Sequence, residues 1–210
     1  MATDRLTPLP PTPPIPPTPS PLLSLPAELR NQIYRLLLTH TTPILTRNTY
    51  QLAPPTPTPL LLSPNILLAC KRTHAEGLSI LYGENTFQAH PSYLTALLFA
   101  LDPARSVSSA LCRELVRRFH VRVRLDCDTF YSREDVKRVF DGADELCVEV
   151  FRASWGVGGL EALEGYRGVR GVRRARVCGS LEEGTARWLE GCMQGDEGED
   201  GVDEERGWVR

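Results

Sequence analysis

Phe119-His120-Val121-Arg122-Val123-Arg124-Leu125 alternates apolar and polar residues without a break. That is the period-two signature of a strand with one buried face. Two more strand-like runs follow, Leu146 to Phe151 and around Val172 to Cys178, at a spacing of roughly 26 residues. Helix signals fill the gaps. Ser132-Arg133-Glu134-Asp135 reads as a capping box ahead of Val136, Val139 and Phe140. A short helix is predicted near Leu160 to Tyr166, and a last one over Leu181 to Met193 with Leu181, Trp188, Leu189 and Cys192 inward. Strands separated by helices pair in parallel through right-handed crossovers. The expectation is therefore an α+β or α/β fold, in which N-terminal helices pack on a small parallel β/α layer of about three strands. The spacing is that of a short leucine-rich-repeat-like array, although no Leu-x-x-Leu-x-Leu consensus occurs.

Composition sets the boundaries of that domain. Half of the prolines lie in residues 1–21, a stretch expected to be an extended, disordered spacer. Residues 22–104 are predicted to be a helical region and 105–193 the β/α region of the same domain. From residue 194 to 210 the chain turns to Gly, Asp and Glu, which reads as a disordered acidic tail. The net charge of −2 gives no global drive toward nucleic acid or an acidic membrane. Six scattered cysteines without a CxxC pair suit reduced thiols in a cytoplasmic or nuclear protein. The N-terminus lacks the apolar core of a signal peptide, and no apolar run is long enough to span a bilayer.

The helical region starts at Leu25-Pro26-Ala27-Glu28-Leu29-Arg30-Asn31-Gln32-Ile33-Tyr34-Arg35-Leu36-Leu37-Leu38. Pro26 suits the first helical position and Glu28 opposes the positive end of the helix dipole. Leu29, Ile33, Leu36 and Leu37 form one apolar stripe, widened by Tyr34 and Leu38, with Asn31 and Arg35 on the polar side. A Pro-rich loop over Pro43 to Pro59 follows, and Ser63-Pro64 restarts a helix. On that second helix Leu67, Cys70, His74, Gly77, Leu78 and Leu81 are expected inward, Lys71, Arg72 and Glu76 outward, with Gly83 as a left-handed stop. Asn85 to Gln88 reads as a brief strand, Ser92 to Leu101 as a third helix ended by Asp102-Pro103, and Ser108 to Arg117 as a fourth.

The Leu-Pro-x-Glu-Leu-Arg-x-x-Ile-Tyr helix resembles the first helix of the F-box, and Cys70-Lys71-Arg72-Thr73-His74-Ala75-Glu76-Gly77-Leu78-Ser79-Ile80-Leu81-Tyr82-Gly83-Glu84-Asn85-Thr86-Phe87 resembles the second half of the signature of a large group of fungal F-box-like proteins of unknown function. Both halves occur here in order. The resemblance implies an F-box-like fold with β/α structure downstream and no catalytic activity. It also implies a non-enzymatic interaction module, specifically a substrate adaptor of a ubiquitin ligase. Leu25, Pro26, Leu29, Ile33 and Tyr34 would then fill a groove of a Skp1-like adaptor protein, while the β/α half would hold an unknown client.

Other constellations read more plainly as structure. Cys70 and His74 stand one turn apart but lack a second ligand pair, so a packed thiol and a core histidine are expected rather than a metal site. Gly156-Val157-Gly158-Gly159 lacks the third glycine of a phosphate-binding loop. Asp126-Cys127-Asp128 surrounds a thiol with carboxylates that would raise its pKa, and Asp144/Glu145 has no histidine or lysine partner in pattern. No enzyme, cofactor or metal is expected. Two alternatives stand beside the adaptor: an uncharacterised fungal domain whose first helix is only structural, and nucleic-acid binding through Arg167, Arg170, Arg173, Arg174 and Arg176, with Tyr166 stacking on a base, a potential that nearby glutamates dilute.

Overall fold

The computed structural model describes residues 20–40, 62–89, 99–102, 105–106, 114–126, 132–152 and 159–195. Both tails, the Pro-rich loop, the 156–158 glycines, Cys127-Asp128 and most of the third and fourth predicted helices lie outside them. The fold is mixed α/β, as the alternation implies. Its centre is a four-stranded, wholly parallel sheet in the order β1 (Phe87–Ala89), β4 (Arg118–Arg124), β5 (Glu145–Phe151) and β6 (Arg174–Gly179). The Asn85–Gln88 segment thus contributes a fourth strand beside the expected three. Phe119, Val121 and Val123 on β4 and Leu146, Val148 and Val150 on β5 point to one side and are buried.

That side is covered by α4 (Arg133–Phe140), α5 (Glu164–Arg167, entered through a 3₁₀ turn at Leu160–Leu163) and α6 (Glu183–Gln194). The Ser132 box forms as read: Ser132 Oγ accepts from the Asp135 N–H, and Asp135 accepts from the Ser132 N–H. Phe140 stands at the middle of this core, edge-on to Phe119 at 5.1 Å and stacked on Tyr166 at 6.0 Å. Gly179 ends β6 at φ +106°, where a Cβ would collide with the Val150 carbonyl. At the free edge of β6, the Val177 N–H is taken by Glu190 Oε1 from α6 at 2.7 Å.

The helical half holds a short turn, α1 (Pro21–Ser24), then α2 (Ala27–Leu38), a 3₁₀ turn (Pro64–Leu68) and α3 (Lys71–Gly83). Several expectations shift here. Pro26 is the residue before α2, so its ring fixes the entry and not the first turn. Ser63-Pro64 starts only the 3₁₀ turn; α3 begins afresh at Lys71, capped by Cys70, whose Sγ accepts from the Thr73 N–H. Gly83 is followed by Glu84 in right-handed geometry, so no left-handed stop occurs. Residues 99–101 are strand, not helix: β2 (Phe99–Asp102) pairs antiparallel with β3 (Arg105–Ser106). Asp102 precedes Pro103, and the proline ring disfavours helical geometry at that residue. Of the fourth predicted helix, Glu114 and Leu115 are helical, and Val116 and Arg117 lead from them into β4.

Candidate interaction surface on the first long helix

α2 buries one face and leaves another bare. Arg30, Tyr34 and Leu38 recur at four-residue spacing and turn toward α3. Leu67, Ile80 and Leu81 complete a small apolar cluster with Tyr34 and Leu38. Gly77 lets this contact close, since a Cβ there would overlap the end of Leu67 and press on Leu38. The burial of Arg30 looks anomalous until its partners are traced. Its Nε and Nη2 fork onto Glu76 at 2.9 and 2.7 Å, and its Nη1 donates to the Leu25 carbonyl. Tyr34 also donates to Glu76, at 3.1 Å, and Arg72 reaches it from one turn away at 3.0 Å.

Four hydrogen bonds onto one carboxylate, with Arg30 contributing most, hold Glu76 down at a pKa of about 2. Burial and then Glu76 push the Tyr34 phenol up, so it stays a donor. A second tie closes the far end. Buried Asn85 donates to the last-turn carbonyls of both helices, Leu38 at 2.7 Å and Leu81 at 2.8 Å, and accepts from the His40 N–H at 2.8 Å.

These ties correct the assignment of roles. Glu76 faces α2 instead of solvent, while His74 is exposed instead of inward. Tyr34 has no exposed surface, so of the five proposed groove-filling residues it is a packing residue. The other four lie elsewhere: Pro26 is exposed, Leu25 and Ile33 are half-buried, and Leu29 is 44 % exposed. Leu36, one turn beyond Ile33 on the same stripe, is 83 % exposed. The geometry therefore brings Leu29, Ile33 and Leu36 onto one outward face. The single stripe expected from periodicity divides in the structure into this outward face and the buried face of Tyr34 and Leu38. The co-occurrence of Arg30 with Tyr34 on α2, and of Glu76 on α3 with Asn85 just beyond its end, is the sequence signal that two faces are in use.

The remaining candidates are occupied structurally. Cys70 is a helix cap, its thiol held below the usual range by hydrogen bonds from Thr73. Among the described residues no group of three or more His, Cys, Asp or Glu side chains could hold a metal, and no helix is long and apolar enough to cross a membrane. Tyr166 is fully buried and cannot stack on a base. Arg167 lies over the Trp188 ring at 5.8 Å, Arg170 donates to the Arg167 and Val169 carbonyls, Arg173 lies 3.7 Å from Asp144, and Arg174 pairs with Glu145. Asp126 is gripped by Arg124 at 2.7 and 2.8 Å. No family model matches this chain, and searches of curated proteins and of solved structures likewise find no match.

Proposed function

We propose that this protein is a non-enzymatic interaction module that offers the outward face of α2 to a second protein, in the manner of an F-box-like adaptor of a ubiquitin ligase. The observation that carries the reading is the pair Leu29 and Leu36, left at 44 % and 83 % exposure on either side of Ile33 although the helix already buries its opposite face. An apolar stripe at this spacing is what a helix-in-groove partner takes up. Covering a leucine side chain contributes about 1.5–3 kcal/mol, so two or three such anchors suffice for a specific contact. Leu25 and Pro26 set the angle at which the stripe is presented, because Arg30 is tied to the Leu25 carbonyl. The partner proposed is a Skp1-like adaptor protein, and the β/α half is the part proposed to hold a client.

The test is capture of a purified Skp1-like protein by the full chain at high salt. The natural chain is expected to retain it, and Leu29→Asp combined with Leu36→Asp is expected to weaken capture by about a hundredfold, as loss of central anchors does. Both positions are exposed, so thermal melts of the variant should match the natural chain. Absence of capture by the natural chain, or equal capture by the variant, overturns the adaptor reading.

A further inference from the structure

The face of the sheet opposite the apolar core brings two thiols together. Along β5 the buried residues Leu146, Val148 and Val150 alternate with Cys147 and Glu149, and along β6 buried Val177 separates Arg176 from Cys178. Parallel pairing sets Val148 beside Val177, so on the opposite side Cys147 faces Arg176 and Glu149 faces Cys178. Cys147 and Cys178 are thus diagonal neighbours on adjacent strands, and their thiols are hydrogen-bonded to each other. Both are free and half-buried. Arg174 and Arg176 on the same face are exposed, which leaves a small ion a way in.

Distance decides what such a pair can hold. An offset of two residues between adjacent strands sets the Cα atoms roughly 8 Å apart, beyond the roughly 7 Å that a disulfide can bridge without moving the backbone. An ion bound by both sulfurs needs no such movement, because metal–thiolate bonds of about 2.3 Å put sulfurs about 4.6 Å apart across a linear centre. The ligand set then selects the ion. Zinc in a structural site takes four ligands, and among the described residues no third His, Cys, Asp or Glu completes a metal-holding group. Glu149, on the same face, is held by His120 and Arg122 at 3.2 Å each. Two thiolates alone suit a soft monovalent ion. Their complex would carry one net negative charge, and Arg176 stands beside Cys147 to meet it. Burial, and then Cys178, push the Cys147 thiol up to about 11, so it keeps its proton until a strongly thiophilic ion displaces it.

We propose that Cys147 and Cys178 form a two-thiolate site for cuprous ion, tying β5 to its neighbour β6. Binding exchanges two S–H bonds for two Cu–S bonds, releases both protons to solvent and leaves copper and sulfur in their oxidation states. The site belongs to the β/α half and stands apart from the adaptor reading.

In the test the reduced full chain is titrated without oxygen with cuprous ion against bicinchoninate, whose coloured complex reports the copper it retains. The natural protein should withdraw one equivalent. Cys147→Ser and Cys178→Ser should each weaken uptake by at least about a hundredfold, since losing even an outer-shell partner costs about 10–100-fold. The double variant should be no worse than either, and Cys192→Ser should leave uptake unchanged. Excess zinc should not compete. A second measurement needs no variant: one equivalent of cuprous ion should slow alkylation of Cys147 and Cys178 together by N-ethylmaleimide, followed by mass spectrometry, while Cys70 goes on reacting. No uptake by the natural chain, unchanged uptake by either serine variant, or protection that falls on other cysteines instead overturns the proposal. So does displacement of copper by zinc, which would need ligands this face does not supply.

Discussion

The two halves of the molecule are held together by different forces. The β/α half is closed by hydrocarbon: twenty buried apolar residues, from Phe87 to Met193, form one continuous core. Among the described residues the cluster between α2 and α3 has five, Tyr34, Leu38, Leu67, Ile80 and Leu81, and polar bonds add to that small apolar contact. Arg30, Tyr34 and Arg72 converge on Glu76, and Asn85 binds both helix ends. The lesson is a division of labour on α2. Orienting it through polar bonds on one side frees its leucines on the other, whereas a larger apolar interface would have consumed them. Tyr82, stacked on Phe87 at 5.7 Å, and Leu62 are shared by both clusters and link the halves.

This contrast can be broken or sharpened by substitution. The largest effect should come from Phe140→Ala, which leaves a cavity among Phe119 and Tyr166 and costs about 3–5 kcal/mol. Urea melts should show both halves failing together, because Tyr82 and Leu62 pack against both clusters. Glu76→Ala comes next. It strands the buried Arg30, which is strongly destabilising, and should lower the melting temperature by about 5–10 °C. Limited proteolysis should then cut the helical half first, leaving the β/α half intact; simultaneous cleavage of both would break the comparison.

Acid should act on the same joint. The Glu76 carboxyl titrates at about 2 in the folded chain against 4.5 unperturbed. Its contribution is therefore complete above roughly pH 4.5 and is lost as pH falls toward 2. Hydrogen exchange in α2 and α3 should rise across that window ahead of exchange in β4 and β5, and Glu76→Gln should flatten the response. The smallest effect belongs to Leu36→Asp. At 83 % exposure it should move stability by no more than about 0.5 kcal/mol in a chemical melt. A larger loss would mean that the outward stripe is part of the core after all.

The strands of the β/α half were legible because burial on one face writes itself as strict alternation, which β4 and β5 keep to the letter. The Ser132 cap was legible for a similar reason, since its bonds are local. The helical half was less so. Periodicity marks a residue as apolar but not which of two partners covers it, so Tyr34 and Leu29 looked alike on α2. By pattern Glu76 belongs at the surface, as charge ordinarily does; a guanidinium from 46 residues away explains its inward position. The fourth strand escaped the repeat spacing because β1 joins the sheet across a long connection. Asp102-Pro103 predicts a helix end, yet the extended geometry that proline favours at the residue before it suits equally the strand in which Asp102 pairs with Arg105.

Glu190 has one further consequence. By occupying the outward N–H of Val177, its carboxylate removes a hydrogen-bonding position from the margin of the sheet and sets a negative charge there. An extended segment from a neighbouring molecule trying to dock on that margin would meet repulsion and a missing rung. Glu190→Ala, which strips that guard, should therefore reveal itself as fibre growth in concentrated samples before any loss of fold, read by light scattering beside the natural chain.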